Sequence, residues 1–454
     1  VTAFTRSILS NFDEQQREAT YMQILVIGSG GREHALLWGL KKSARRPLKL
    51  FCAPGNAGIA EIAECIDLNA TDLTSLARFA EEQKIDLTIV GSEAPLAAGL
   101  VDEFERRNLK VAGARRDAAR LESSKAFAKN FMARHNVPTA RYRIADSVLE
   151  AQGILAGGEF GGEDSSIVIK ADGLAAGKGV IVARSRSEAA SAINVLMKGR
   201  LAGAEATRRI VIEEALSGRE VSLLLFADGR DYALMPAARD HKRVGENDTG
   251  PNTGGMGAIT DSSVIEEETL RRVVRKVVEP TLEGARSEGF PFRGILFVGL
   301  MLTTEGPRVL EYNVRFGDPE AQAIIVRLQT DLADVFEAVA QGKLSDVPVR
   351  WSDESSACLV LASRGYPARP ETGAPIKGLE RAAQHEGVEI FHAGTARSES
   401  GELLTAGGRV LGVTATAPTL EMALNRCYGA ASEIHWDGIH YRRDIGKFIK
   451  HTGR

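Results

Sequence analysis

Residues 311–320 read Glu311-Tyr312-Asn313-Val314-Arg315-Phe316-Gly317-Asp318-Pro319-Glu320. The first five residues have strand character, and on an extended chain Glu311, Asn313 and Arg315 share one face. A carboxylate and an amide oxygen are hard ligands suited to Mg²⁺ shared with phosphates. Arg315 beside them can clamp transferring phosphoryl oxygens. The plainer reading is the polar, solvated face of an edge strand. However, the preceding strand, Gly294 to Thr303, is strongly apolar. That places 311–315 in a core sheet.

Further out, the chain divides. Gln23 to Ile27 reads as a buried strand stopped by Gly28, followed by a helix from about Glu33 to Lys42, a strand from Leu48 to Ala53, an amphipathic helix from Leu73 to Gln83 and a buried strand from Leu87 to Val90. Strands alternating with helices imply a doubly wound parallel sheet. This α/β domain spans 22–121. A middle domain follows over 122–343, with strands at Ile167 to Ala171, Gly179 to Ala183, Ile210 to Glu214, Ser222 to Ala227 and Val309 to Tyr312. The segment 344–454 makes a smaller, turn-rich domain. Residues 1–21 are polar and mixed in charge, and lack the apolar core of a signal peptide. They read as a loose tail, or as residues ahead of a natural start at Met22. No further catalytic module is legible, so a single activity is expected.

Composition narrows the function classes. Lys+Arg 57 against Asp+Glu 60 leaves no polycation to meet a nucleic-acid backbone. No apolar run is long enough to span a bilayer. The four cysteines form no C-x-x-C pair and read as free thiols of a cytoplasmic protein. The eight histidines show no zinc spacing.

Two glycine-rich loops carry chemistry. Gly28-Ser29-Gly30-Gly31-Arg32-Glu33-His34 joins a strand to a helix, the arrangement that cradles phosphate on backbone N–H groups. A dinucleotide site wants glycine where Glu33 stands, and an acid after the second strand where Ala53-Pro54-Gly55-Asn56-Ala57-Gly58 runs instead. A smaller phosphate ester fits better than nicotinamide. Lys170-Ala171-Asp172-Gly173-Leu174-Ala175-Ala176-Gly177-Lys178-Gly179-Val180 resembles a P-loop, but its first glycine is one residue too close and Gly179 replaces the Ser/Thr that would hold Mg²⁺. A mobile lid between two strands explains it better, with Lys170 reaching phosphate oxygens. Lys125 precedes it at the start of a helix.

Three further segments complete the candidates. Glu213-Glu214-Ala215-Leu216, with Glu220, could offer backbone to an adenine edge and a carboxylate to ribose. Asp240-His241-Lys242-Arg243 runs into Asp248-Thr249-Gly250-Pro251-Asn252-Thr253-Gly254-Gly255-Met256-Gly257. So many glycines imply backbone that approaches something closely, and mixed charges suit a zwitterionic small molecule. The alternative is a long surface loop, which compact domains seldom carry without function.

On these residues, together with Gly91-Ser92-Glu93-Ala94-Pro95-Leu96, the chain resembles the phosphoribosylamine–glycine ligases (glycinamide ribonucleotide synthetases), ATP-grasp enzymes, from Met22 to the C-terminus. The resemblance implies a central two-lobe ATP-grasp domain with a lid lobe at about 143–217. It implies the joining of glycine to 5-phosphoribosylamine through glycyl phosphate, with ATP and Mg²⁺ or Mn²⁺. By that resemblance Lys125, Lys170 and Lys178 touch ATP phosphates, Glu213, Glu214 and Leu216 hold adenine, and Glu220 holds ribose. Glu311 and Asn313 bind metal. Gly30, Gly31, Gly55, Asn56, Glu93, Asp240, Lys242, Asn252, Gly254 and Arg315 meet the other substrates. Arg315, Lys170 and Asp240 are the expected catalytic set, in a monomer with no membrane or nucleic-acid partner.

Three departures stand out. Ser92 replaces a common Pro, Arg239 replaces a common Gln, and Gly299 stands where many ATP-grasp enzymes put a second metal-binding acid. The alternatives are another ATP-grasp carboxylate–amine ligase, a dehydrogenase, which Glu33 opposes, and a non-catalytic nucleotide-binding regulator, which Lys170, Glu311, Asn313 and Arg315 oppose.

Overall fold

The computed structural model describes residues 21–175, 179–197 and 209–447. The N-terminal tail and Lys178 therefore lie outside the described residues, apart from exposed Tyr21. The first domain is a five-stranded parallel sheet. Its strands run in the spatial order Glu64–Cys65, Leu48–Pro54, Met22–Gly28, Leu87–Val90, Val111–Ala112. The order reverses between Met22–Gly28 and Leu87–Val90, so their carboxyl ends form the crevice where ligands enter such sheets. Unbroken apolar runs explain these strands: Ile24, Leu25, Val26 and Ile27 are all fully buried, as expected for a sheet covered on both faces.

A second sheet is antiparallel and has four strands, Tyr142–Ala145, Ile210–Glu214, Ile167–Ala171 and Val180–Ala183 in spatial order. Helices Val148–Ala156 and Arg186–Met197 pack on it. Leu155, Phe160, Ile169, Ile193 and Ile212 form an apolar cluster separate from the main core. A lobe with its own core can move as a body.

The third sheet has nine strands, one of which, Tyr232–Leu234, pairs only with Arg219–Asp228 off the main order. Gly306–Asn313 lies at one edge, so it is an edge strand after all, although its neighbour Arg293–Thr303 is buried; Arg219–Asp228, Ala238–Asp240 and Gly257–Thr260 follow. The sheet then continues without a break into Ser355–Ala362, Arg409–Ala417 and Val388–His392. Strands from residues 355–417 thus share a sheet with the middle domain. No described helix is long and apolar enough to cross a membrane.

Candidate active site

Strand Gly306–Asn313 brings Glu311 and Asn313 to the same face, while Tyr312 points the other way, buried and hydrogen-bonded to Thr281. The strand ends at Asn313, so Arg315 lies just beyond it, in a bend. Its guanidinium joins Glu122 (2.8 Å), Glu93 (3.2 Å) and the Asn313 amide oxygen (3.4 Å). Burial pushes the Glu311 carboxyl up, but Lys242, Lys125, Lys170 and Arg315 more than offset it, leaving a pKa of about 2. Glu311 is therefore an anion at any working pH. Gly299 sits opposite it in the ladder, where a β-carbon would come within 3.3 Å of the Glu311 Cγ.

The donor set fits a hard divalent cation. Glu311 and Asn313 supply a charged and a neutral oxygen. Among the described residues no group of three or more His, Cys, Asp or Glu is arranged around a metal position. The rest of a metal's shell would then come from phosphate oxygens and water, the usual arrangement for Mg²⁺ at a nucleotide.

The lid meets this strand through a lysine. A bulge between Gly299 and Leu300 leaves Leu310 without a ladder partner. Its carbonyl accepts from Lys170 Nζ at 3.0 Å. Lys170 also lies 3.0 Å from Glu213 Oε1, while Lys129 reaches Glu213 Oε2 at 2.9 Å and the Thr139 hydroxyl at 2.7 Å. All three charged side chains are buried. The glycine-rich loop joins two antiparallel strands, Lys170 pairing with Val180, so no helix follows it as a P-loop requires.

The Glu213 carboxylate is committed to two lysines. The carboxylate of Glu214 is likewise held by Arg141 (2.7 Å). Beyond Glu214 the strand ends, and Leu216 is half-buried. What this segment can offer an adenine is backbone. Glu220 faces the site, 3.6 Å from Lys242 Nζ, and Lys242 in turn lies 3.8 Å from Glu311. These carboxylates, with Asp240 and Glu320, hold Lys242 protonated despite its burial.

The 240–257 segment is a built element rather than a loose loop. Arg243–Gly245 pairs with Thr249–Asn252, placing Asn252 opposite Arg243. The Asp240 Oδ1 is buried with no hydrogen-bond partner. Burial and the nearby Glu320 raise the Asp240 pKa well above the usual carboxylate range. An orphaned buried acceptor of this kind marks a place where a ligand completes the structure. A β-carbon on Gly255 would strike Pro319 Cδ at 2.4 Å, so glycine is required for the close approach of the hairpin to the 318–320 turn. Gly254 donates to the Tyr366 hydroxyl and its carbonyl accepts from Arg409.

The N-terminal loops are closer to the site than to a nucleotide. Glu33 accepts from the Gly30 N–H (2.6 Å) and from Arg32 (2.7 Å). A β-carbon on Gly28 or Gly91 would collide with its carboxylate. The side chain therefore plugs the crevice a dinucleotide would need, and it satisfies the Gly30 N–H expected for phosphate. Gly31 packs against Gln322, where a β-carbon would lie 2.6 Å from Nε2. The Asn56 side chain is spent on the carbonyls of Ser29 and His392 and the N–H groups of Gly58 and Ile59. Gly55 has φ +78° and turns the chain above Cys65. Thus Asn56 braces the first domain against the third rather than presenting a free amide. Glu93 does face the centre. Burial raises its pKa, but Arg315 and Arg32 outweigh this and keep it low.

Arg239 extends to the Lys447 carbonyl (2.8 Å). Ser92 starts the helix Glu93–Ala98 without a side-chain cap.

Sequence reading missed Glu122, Lys129, Glu320, Arg32 and Arg409. Lys129 was accessible, because it lies four residues after Lys125 on one helix face. Glu122 accepts from the Val314 N–H (2.8 Å) across 192 residues of chain, and Arg409 reaches the Asp318 carboxylate (3.1 Å) from another domain. Such pairings have no local signature.

The comparisons agree with this geometry. Residues 22–122 match the phosphoribosylglycinamide synthetase N domain, 123–321 its ATP-grasp (A) domain and 356–448 its C domain. The phosphoribosylamine–glycine ligase of Brucella melitensis is 46% identical over 94% of this chain and 97% of its own. That of Escherichia coli O157:H7 is 45% identical over 94% of this chain and 98% of its own. The crystal structure of the Thermotoga maritima phosphoribosylamine–glycine ligase superposes with a TM-score of 0.79 at 33% identity, covering 93% of this chain and 99% of that one. An ADP complex of N5-carboxyaminoimidazole ribonucleotide synthetase shares the fold, with a TM-score of 0.64 at 15% identity over 90% of this chain and 96% of that one. With its three domains matched in order and the four-stranded lobe, the Gly306–Asn313 strand and the hairpin gathered at one centre, this chain belongs to the phosphoribosylglycinamide synthetase family of ATP-grasp ligases.

Proposed function

We propose that the chain joins glycine to 5-phosphoribosylamine with ATP, giving glycinamide ribonucleotide, ADP and phosphate. The observation that carries this reading is the convergence of Glu311, Lys242, Glu220, Arg315 and orphaned Asp240 between lid and hairpin.

A glycine carboxylate is a poor electrophile. In this reading one of its oxygens attacks the γ-phosphorus and ADP leaves. The amine of phosphoribosylamine then attacks the acyl carbon, loses a proton, and phosphate leaves. Positioned charge serves phosphoryl transfer better than covalent catalysis does. Arg315 holds transferring phosphoryl oxygens, and Glu93 and Glu122 fix its fork. Lys125 and Lys170 meet ATP phosphates, Lys170 exchanging the Leu310 carbonyl for them. The backbone of 214–216 meets adenine and Glu220 the ribose. Asp240, whose buried Oδ1 has no hydrogen-bond partner in the protein, is the acceptor placed to take the proton the amine loses. Lys242, Asn252 and Gly254 line the acceptor side, and Glu93 the phosphoribosylamine side. A metal held by Glu311 and Asn313 would neutralise phosphate charge, and Mg²⁺ suits these ligands, with Mn²⁺ as a substitute. The enzyme works as a monomer in the cytoplasm.

The test is ADP release with glycine and phosphoribosylamine each omitted in turn. Release that requires both supports the reading. Release independent of both refutes it.

A further inference from the structure

The hairpin Arg243–Gly245/Thr249–Asn252 is gripped from behind by residues 440–447 of the C-terminal domain. His440 Nε2 donates to the Val244 carbonyl at 2.9 Å. Arg442 donates to the Arg243 carbonyl (3.1 Å) and to Asp248 (2.7 Å), and pairs twice with Asp444 at 2.8 Å. Asp444 in turn accepts from the Asn247 N–H at 2.8 Å, and the Arg443 N–H donates to Glu246 at 3.2 Å. The Gly446 N–H donates to His241 at 3.1 Å. Arg442 is completely buried.

The hairpin tip needs this grip. Asn247 and Asp248 have φ +55° and +52°, two consecutive non-glycine residues in the left-handed region. Such backbone persists only when surrounding contacts over-determine it. Here the contacts come from one arginine and one aspartate outside the hairpin. Arg442 is nevertheless bonded to the carbonyl of the residue next to Lys242, so its hold reaches the acceptor side of the site.

We propose that Arg442 is a positioning residue for ligation. Through Asp248 and the Arg243 carbonyl, it holds the hairpin in the shape that presents Asp240, Lys242 and Asn252 to the two non-nucleotide substrates. The inference rests on the ligase reading above. It differs from a purely structural role in which substrate suffers. In that reading ATP is met mainly by the lid and Glu220, and of the hairpin group only Lys242 reaches towards Glu220 and Glu311, so the larger loss falls on glycine and phosphoribosylamine.

The experiment uses the full chain with Arg442→Gln, Arg442→Lys, Asn247→Gly and the double variant Arg442→Gln/Asn247→Gly. KM and kcat are measured by ADP release with each substrate varied, alongside thermal melting. Arg442→Gln raises the KM for glycine roughly 10- to 100-fold, the range for losing a charged buried hydrogen bond. The KM for ATP changes less than about threefold. Asn247→Gly alone leaves activity unchanged. In the double variant it recovers about fivefold of the glycine KM, because glycine adopts the left-handed conformation without help. Arg442→Lys, which keeps the charge but loses the fork, falls between. It serves as the decisive variant where Arg442→Gln fails to fold. A wild-type glycine KM in Arg442→Lys or Arg442→Gln overturns the inference. So does a parallel rise of the glycine and ATP constants that follows the loss of melting temperature. Absence of glycine-dependent ADP release from the wild type would instead overturn the ligase reading itself.

Discussion

Replacing Glu213 by glutamine should unlatch the lid. Glu213 takes Lys129 at 2.9 Å and Lys170 at 3.0 Å, and all three side chains are buried. Glutamine offers one oxygen and one N–H₂ group, so one of the two ammonium groups would face a donor. Removing one member of a buried ion pair costs about 3–5 kcal/mol. Each lysine keeps a neutral acceptor, Thr139 for Lys129 and the Leu310 carbonyl for Lys170, which places the loss near the lower figure. Burial and Lys170 already pull the Lys129 pKa to about 8 against the opposing pull of Glu213. Without that carboxylate it falls further, and the ammonium sheds its proton near neutral pH.

The sign follows. Below pH 8 the wild-type native state keeps this proton, whereas the variant's native state releases it while the open chain still binds it. The variant therefore gains stability as pH rises, and its deficit is largest near pH 6, shrinks towards pH 8 and is level above. Native-state hydrogen exchange of strand Ile167–Ala171, read by mass spectrometry at several pH values, measures it. At pH 6 the expected loss of protection is roughly 100-fold, the equivalent of about 3 kcal/mol. Protection within about threefold of the wild type, or a deficit independent of pH, would refute the reasoning.

Glu311→Gln should lower kcat by roughly two orders of magnitude or more, and Asn313→Ala should raise the Mg²⁺ concentration needed for half-maximal ADP release, both by removing preorganised ligands at developing charge. Because the Glu311 pKa is about 2, well below the ordinary carboxylate value, its charge persists as pH falls and is lost only near pH 2; an acid limb of kcat/KM above pH 5 belongs to another group. Glu33→Gly restores a dinucleotide-like glycine but leaves buried Arg32 with only Glu93 at 3.9 Å and the Phe316 carbonyl, so it should cost about 3 kcal/mol in denaturant titrations and give no NAD binding in calorimetry. ATP with Mg²⁺ should protect the 171–179 loop from protease, and identical cleavage rates would count against lid closure over nucleotide.

The sequence made the elements of the first domain legible because buried parallel strands are unbroken apolar runs between glycines. Strand Leu87–Val90 was read to the residue, and the Gln23 to Ile27 run fell within one residue of Met22–Gly28 at each end. Glu311 and Asn313 were legible because alternation is local. The lysine partners of Glu213 were not legible, because a strand-end carboxylate looks the same whether it meets solvent or two buried lysines. The contacts of Asn56 were hidden for a related reason: its partner His392 lies 336 residues away. The glycines of the 240–257 segment showed that backbone comes close to something. That this something was Pro319, Asp240 and Arg409 emerges only when separate strands meet in one sheet.

The shared nine-stranded sheet has a consequence for cutting the chain. Strand Gly257–Thr260 is wholly buried because Ser355–Ala362 lies beside it, from Gly257 opposite Leu359 to Thr260 opposite Ser356. A fragment ending at residue 343 would leave a row of unsatisfied N–H and C=O groups on an apolar strand, a ready template for a second copy. Such a fragment should associate edge to edge before it could bind anything. The domain seam visible in the sequence is therefore a poor place to truncate.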